Sequence, residues 1–233
     1  QVPSSGSLYG PECRACWIVP KGYKLVGIDA SGLELRMLAH YMNDLDYTNT
    51  ILTGDIHTAN QLAAGLKTRS QAKVFIYAYL YGAGDEKIGS IVGGGRKQGK
   101  LLKEQFLEAT PALKTLKENV AQSAAKGYIT GLDGRKVFIR SEHAALNSLL
   151  QSAGALVMKQ ALVILDDYAT RWGLDYRFVG NVHDEFQVEV LEAHADRFGR
   201  LAADCIVAAG THFKMRCPLA GEYNVGASWA ETH

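Results

Sequence analysis

Residues 24–36 read KLVGIDASGLELR, and the rest of the chain is best understood from there. Lys24 to Asp29 is a short apolar run ending in an acid, the pattern of a buried strand, and Ser31 to Tyr41 then has a helical pattern. An acid at the end of such a strand has two explanations. Its carboxylate has lost much of its water, so a bound cation would relieve the cost of an unpaired buried charge. Equally, Asp29-Ala-Ser31 precedes a helix, where Asp is a good N-cap.

A second acid stands in a comparable place far along the chain. Tyr176 to Val190 reads as two strands joined at His183-Asp184, and in the second Phe186, Val188 and Val190 alternate with Glu185, Gln187 and Glu189. A plain hairpin would prefer Asn-Gly or Asp-Gly at its tip. His183-Asp184-Glu185 is therefore either an ordinary polar turn or a functional tip in which Glu185 is a possible participant.

Between these acids, Thr68 to Tyr81 is a clear helix. Thr68 and Gln71 have capping-box spacing, Gly82 and Gly84 stop the helix, and Ala72, Phe75, Ile76 and Tyr79 form one packing face. Arg69, Lys73, Tyr77 and Tyr81 follow one another at steps of four, each step advancing the helical wheel by about 40°. Two cations followed by two aromatics could hold a triphosphate at one end and stack on a base or sugar at the other. They could also be a solvated basic turn with tyrosines at the core's edge. His143, Asn147 and Gln151 repeat the four-residue step on a long helix that Ser141 is expected to cap and that runs to about Arg171. Amides there suit the acceptors of a DNA minor groove or, alternatively, an internal polar network.

The remaining pattern is simpler. Residues 1–22 and 44–58 read as loop, the latter with short helical pieces. Helices are expected at about 97–107, at 111–126 opened by Pro111, and at 193–209, followed by a short polar tail. Tyr128 to Ile139 reads as two short strands around the turn Leu132-Asp133-Gly134-Arg135. The order of elements indicates an α+β fold, a sheet with a mostly helical insertion between about 45 and 130. Gly94 to Lys100 matches the start of a P-loop, but Leu101 stands where Ser or Thr should hold a metal and no strand precedes it, so the match is rejected.

With 233 residues, 47% apolar and 21% charged, the chain has the composition of an ordinary globular protein. No apolar run is expected to reach the ~20 residues of a membrane helix, and no signal peptide is visible. Gln at position 1 points to a processed, split or trimmed product. The formal net charge of +1 gives no bulk support for nucleic-acid binding, so any DNA contact must use locally concentrated charge. Cys13 and Cys16 form a C-x-x-C pair, but Cys205 and Cys217 lack matching zinc-ligand spacing, and free thiols are expected.

Taken together, these motifs resemble those of family A DNA polymerases, the bacterial polymerase I-like group. Asp29-Ala-Ser-Gly-Leu-Glu34-Leu-Arg36 resembles motif A, Arg69-x3-Lys73-x3-Tyr77-x2-Leu80-Tyr81-Gly82 motif B, and Val182-His183-Asp184-Glu185 motif C. Gly54-Asp-Ile-His57-Thr58 and the His143, Asn147, Gln151 helix also fit. The wording of Leu80-Tyr-Gly-Ala-Gly-Asp-Glu-Lys-Ile88 and of the final Trp-Ala-x-x-His233 is similar to podovirus-type phage polymerases. The resemblance covers nearly the whole chain.

That resemblance implies a right-hand polymerase palm, an antiparallel sheet with helices, and a mostly helical fingers subdomain. Palm would occupy 1–46 and 128–233, fingers 47–127, and thumb and exonuclease domain would be absent. The segment near Lys126 is short beside phage relatives, where a longer basic stretch often stands, which puts some DNA contacts in doubt. The implied activity is DNA-directed DNA synthesis in phage replication, in the cytoplasm of the infected bacterial host. Asp29, Asp184 and the Ala30 carbonyl would coordinate two Mg²⁺ ions, for which Mn²⁺ could substitute. Arg69, Lys73 and His57 would hold the dNTP triphosphate, with Lys73 also protonating the leaving pyrophosphate. Glu34, hydrogen-bonded to Tyr81, would crowd the sugar 2′ position. Tyr77 would lie over the nucleotide, where Tyr goes with easier acceptance of dideoxynucleotides. His183 would sit near the primer terminus, and Arg135, His143, Asn147 and Gln151 would touch primer-template DNA. An N-terminal exonuclease/thumb chain and a host processivity factor are implied partners, and no membrane is. Two alternatives remain at this point. One is a split polymerase's C-terminal subunit, inactive without its partner. The other is a single-subunit RNA polymerase, against which Glu34 and His-Asp-Glu argue.

Overall fold

The computed structural model describes residues 2–233. In chain order it contains α1 (Gly10–Ala15), β1 (Tyr23–Ala30), α2 (Leu33–Met42), α3 (Leu45–Thr53), α4 (Ile56–Ala64), α5 (Arg69–Leu80), α6 (Asp85–Ser90), α7 (Arg96–Ala109) and α8 (Pro111–Ala124). There follow β2 (Tyr128–Thr130), β3 (Lys136–Phe138), α9 (Ala145–Arg171), β4 (Tyr176–Val182), β5 (Glu185–Leu191), α10 (Ala195–His212), β6 (Gly221–Gly226) and α11 (Trp229–Thr232). The residues form two compact units, one from the chain up to Leu33 with Gly154–His233, the other from Glu34–Ala153.

The first unit is built on an antiparallel sheet of order β4-β5-β1-β6. Because β1 is central and covered on both faces, it reads as a continuous apolar run rather than an alternating one. Val26 and Ile28 stand opposite Val188 and Phe186 in register. These residues are fully buried, as are Phe198, Ala202 and Ile206 of α10, which packs on β1 and β6. The buried positions of α10 recur at helical spacing, Phe198, Leu201, Ala202, Cys205, Ile206 and Ala209. On the other face α11 lies so close to β1 that only glycine fits at position 27. A Cβ there would collide with the Thr232 carbonyl oxygen and stand 2.6 Å from Gln187 Nε2.

The second unit is mostly helical and also carries the small antiparallel pair β2-β3. Phe75 and Tyr79 of α5 meet Phe106 of α7 edge-on, with ring centroids 5.2 and 5.4 Å apart. The glycine-rich stretch that imitates a P-loop has a packing role. Gly99 in α7 lies against the backbone of α6, where a Cβ would collide with the Asp85 carbonyl oxygen. Lys103 fastens the same junction, donating to Ala83 O at 2.7 Å and pairing with Asp85 at 2.9 Å.

Several expectations need correction. The segment 1–22, read as loop, contains α1, whereas the short helical pieces expected within 44–58 are α3 and the start of α4, each capped by an Asp, Asp44 and Asp55. Ser141 makes no side-chain cap; a 3₁₀ turn at Glu142–Ala144 precedes α9. The polar tail contains β6 and α11. The stretch Glu142–Arg171 is, by length and composition alone, apolar enough to cross a membrane, contrary to expectation. Its Leu149, Leu150, Ala153, Val157, Met158, Ala161 and Leu165 are buried in the protein, which accounts for the apolarity. The four cysteines are free thiols.

Candidate active site

In the first unit the acids converge through sheet register. Asp29, near the end of β1, stands opposite Glu185 on β5 and Glu222 on β6, so three carboxylates lie abreast on one face. The β4–β5 turn carries His183 and Asp184. His183 has φ 56°, left-handed backbone that is uncommon outside glycine and enriched in His, Asn and Asp. That turn is tied to β1 by the Ala30 amide, which donates to the Asp184 carbonyl at 3.2 Å. Asp29 as a residue remains exposed near the end of β1, yet its carboxyl is pushed up to about 7, first by desolvation from the surrounding protein and then by Asp184, Glu185 and Glu222. The charged side chains that shift it are all acids, and only a hydrogen bond with the Ala30 backbone opposes them.

The three neighbours of Asp29 differ. Glu222 accepts a hydrogen bond from the Ser31 hydroxyl at 2.7 Å. Glu185 is buried and accepts from Trp229 Nε1 at 2.8 Å, from Gln187 Nε2 and from the His233 ring. Thr232 in turn donates to Gln187 Oε1 at 2.8 Å, and the Arg14 guanidinium lies 4.4 Å over the Trp229 ring. Glu185 is thus a structural anchor for α11 and the chain's last residues. Asp184 is half-buried and lines, with His183, a cavity of about 760 Å³ whose wall includes Trp17, Val182 and Trp229. Glu222 and the Trp229–Thr232–His233 network were not among the residues selected from the sequence, apart from the quoted C-terminal wording. Glu222 lies in the stretch read as tail and carries no local signal.

Asp29 and Asp184 supply two carboxylates and Ala30 a backbone carbonyl, oxygen donors of the kind Mg²⁺ prefers. Among the described residues no three His, Cys, Asp or Glu side chains gather as a ready-made metal cage. The excess of negative charge around Asp29 nevertheless fits a divalent cation.

In the second unit α5 begins with both halves of the capping box formed by Thr68 and Gln71. Arg69 and Lys73 are exposed on its first turns, and Tyr77 is half-buried further along. Asp55 N-caps α4 and also receives Arg69 Nε at 2.6 Å and Nη2 at 3.2 Å. His57, in the first turn of α4, has its ring centroid 6.2 Å from that of Tyr77. Burial lowers its pKa, Arg69 and Lys73 lower it further and Asp55 opposes them, a balance that favours the uncharged imidazole. The Tyr81 hydroxyl donates to Glu34 Oε1 at 2.9 Å. Arg135 is folded back on Asp133 in the β2–β3 turn, with Nε 2.6 Å from Oδ2. His143 is exposed, Asn147 half-buried and Gln151 exposed. His143 belongs to the 3₁₀ turn rather than to α9, so the three do not form one straight α-helical row.

An antiparallel sheet with acids at its tip, accompanied by many helices, is an α+β arrangement of the polymerase palm-and-fingers type. The same fold appears in the structure titled "POL domain of Pol1 from M. smegmatis complex with DNA primer-template and dNTP", with TM-score 0.87 and 24% identity over 99% of this chain and 44% of that one. The sequence model of DNA polymerase family A matches residues 1–231, and the chain belongs to that family. The DNA-directed DNA polymerases of Enterobacteria phage T3 and Escherichia phage T7 are each 44% identical to it, covering 100% of this chain and 38% of the relative. That of Escherichia phage Phieco32 is 38% identical, covering 93% of this chain and 41% of the relative. The chain thus spans well under half the length of these curated relatives.

Proposed function

We propose that the chain performs template-directed DNA synthesis, transferring a nucleotidyl group from a dNTP to a primer 3′-hydroxyl, as part of phage DNA replication inside an infected bacterium. The observation that carries this reading is the convergence of acids at Asp29, with Glu185 and Glu222 opposite it in register and the Asp184 turn tied to β1 by the Ala30 amide. Asp29, Asp184 and the Ala30 carbonyl would hold two Mg²⁺ ions, with Mn²⁺ as a substitute. When bound, the ions activate the 3′-hydroxyl and neutralise charge on the leaving pyrophosphate. Arg69, Lys73 and His57 bind the triphosphate, and Lys73 supplies the proton for pyrophosphate. Glu34, held by Tyr81, narrows the space at the sugar 2′ position, and Tyr77 stacks on the nucleotide. His183 steadies the primer terminus. Arg135, His143, Asn147 and Gln151 contact primer and template without reading base sequence. The functional subdomains on this reading are palm 1–46 and 128–233 and fingers 47–127.

Primer extension in Mg²⁺ tests the core of the proposal. Asp184→Asn is expected to lower the extension rate by about a thousandfold or more, because the metal ions supply several kcal/mol of transition-state stabilisation. Near-normal extension by this variant would sink the metal assignment. A second reading makes the chain the C-terminal subunit of a split polymerase, inactive without an N-terminal exonuclease/thumb partner; a host processivity factor would be a further partner. Extension by the chain alone, compared with extension after adding such a partner, separates the two.

A further inference from the structure

We propose that Asp55 is a positioning residue for nucleotide binding: one carboxylate orients the Arg69 guanidinium and, at the same time, the helix turn that carries His57. The proposal rests on the reading of Arg69 and His57 as triphosphate ligands.

Asp55 does two jobs with two oxygens. As N-cap of α4 it accepts from the amides of His57 at 3.1 Å and Thr58 at 3.4 Å, and from the Thr58 hydroxyl at 2.8 Å. It also receives Arg69 Nε at 2.6 Å and Nη2 at 3.2 Å, fourteen residues further along the chain. A carboxylate has about four lone-pair sites, so both oxygens are saturated. Of the five guanidinium N–H groups, two point at Asp55 and three remain for a ligand. Arg69 can therefore meet a phosphate without releasing the carboxylate.

The cap alone does not explain an acid here. Ser, Thr and Asn cap helices as well as Asp does. The same chain contains a cap that works without a cation. Asp44 opens α3 by accepting from Asp46 N at 2.9 Å and Tyr47 N at 3.0 Å, and among the described residues no Lys or Arg pairs with it. Stability does not explain the pair either. Both side chains are largely solvent-exposed, and exposed ion pairs contribute little to folding. What the contact does is restrict a long, mobile side chain to one orientation before the ligand arrives, which lowers the entropy lost on binding. It also fixes the backbone of the second phosphate-binding residue relative to the first, through a single shared group.

Steady-state primer extension in the full-length protein that carries these residues provides the test. Asp55→Asn keeps a good cap and removes the charge. It is expected to raise KM for dNTP about five- to tenfold while kcat stays within about twofold. Asp55→Ser, also a capping residue, should do the same. Asp44→Asn should change neither parameter. Asp55 acts through Arg69, so adding Asp55→Asn to Arg69→Ala should raise KM no further than Arg69→Ala alone. An unchanged or lower KM in Asp55→Asn, or an additive rise in the double variant, overturns the proposal. An unchanged KM in Arg69→Ala would instead remove the underlying reading of the nucleotide site.

Discussion

At the tip of the sheet Asp29 stands between Glu185 and Glu222, held by strand register, with Asp184 of the β4–β5 turn beside it, and desolvation followed by these acids shifts its carboxyl. On α5 the opposite charge is presented differently. Arg69 comes already paired with Asp55, and no register across a sheet is needed to place it. The first region stores repulsion that a divalent cation can relieve. The second has an oriented cation with three donors to spare. The comparison teaches that a ligand bound at the acids changes the protein's own charge balance, whereas one bound at α5 meets a surface already arranged.

After the loss expected for Asp184→Asn at the acid tip, the largest effect that would break this comparison comes from α5. Lys73→Ala is expected to lower kcat/KM for dNTP by about a hundredfold, since a charge-assisted contact and a proton donor are both lost. If the loss falls in KM alone, Lys73 is only a phosphate ligand; if kcat falls too, its role as proton donor is supported. Single-turnover extension at saturating dNTP distinguishes these outcomes.

A smaller effect concerns the nucleotide's sugar. Glu34→Ala removes the acceptor of the Tyr81 hydroxyl and opens the space beside it. Ribonucleotide incorporation relative to dNTP should rise by about tenfold or more. Tyr81→Phe, which removes only the hydroxyl, should show a weaker form of the same change. Unaltered sugar discrimination in both variants would take Glu34 out of the selection step.

The two regions also differ in how far sequence reveals them. Everything on α5 is local. The Thr68–Gln71 capping box, the packing face through Phe75 and Tyr79 and the Arg69–Tyr81 row all follow from helical spacing, and the structure forms both the box and the packing face. The sheet is not local. Alternation in β5 is legible, but β6 reads as tail because its Gly-Glu-Tyr-Asn-Val-Gly sequence is largely solvent-facing and becomes a strand only by pairing with β1. With β6 unseen, Glu222 cannot be placed beside Asp29. Glu185 is visible as a polar residue next to Asp184, yet its burial under Trp229 and His233 depends on α11 docking some 45 residues later in the chain. The Asp55–Arg69 pair is a third case: each residue is readable within its own helix, but only folding brings them together.

The smallest expected effect bears on the stored repulsion itself and needs no DNA. Asp29 has its carboxyl raised from 3.8 to about 7 in the folded chain. Between those values the folded protein keeps a proton that the unfolded chain has released, so this group's contribution to stability falls as pH rises from about 4 through 7 and stays low above it. In metal-free buffer Asp29→Asn should therefore unfold at a slightly higher temperature than the parent at pH 8, and the difference should shrink towards pH 5. Mg²⁺ should act in the same sense on the parent, stabilising it more at pH 8, where the carboxylate is already ionised, than at pH 5, where the metal must displace a proton. Asp55→Asn supplies the contrast. Its carboxyl is held below the ordinary range by the Arg69 guanidinium and the Thr58 hydroxyl, so its contribution is present at neutral pH and lost only on acidification. Across pH 5–8 the difference in unfolding temperature between Asp29→Asn and the parent should therefore vary with pH, whereas that of Asp55→Asn should stay small and flat and change only on acidification below about pH 4. A parallel response in both would mean that the neighbouring acids at Asp29 are screened by solvent rather than felt.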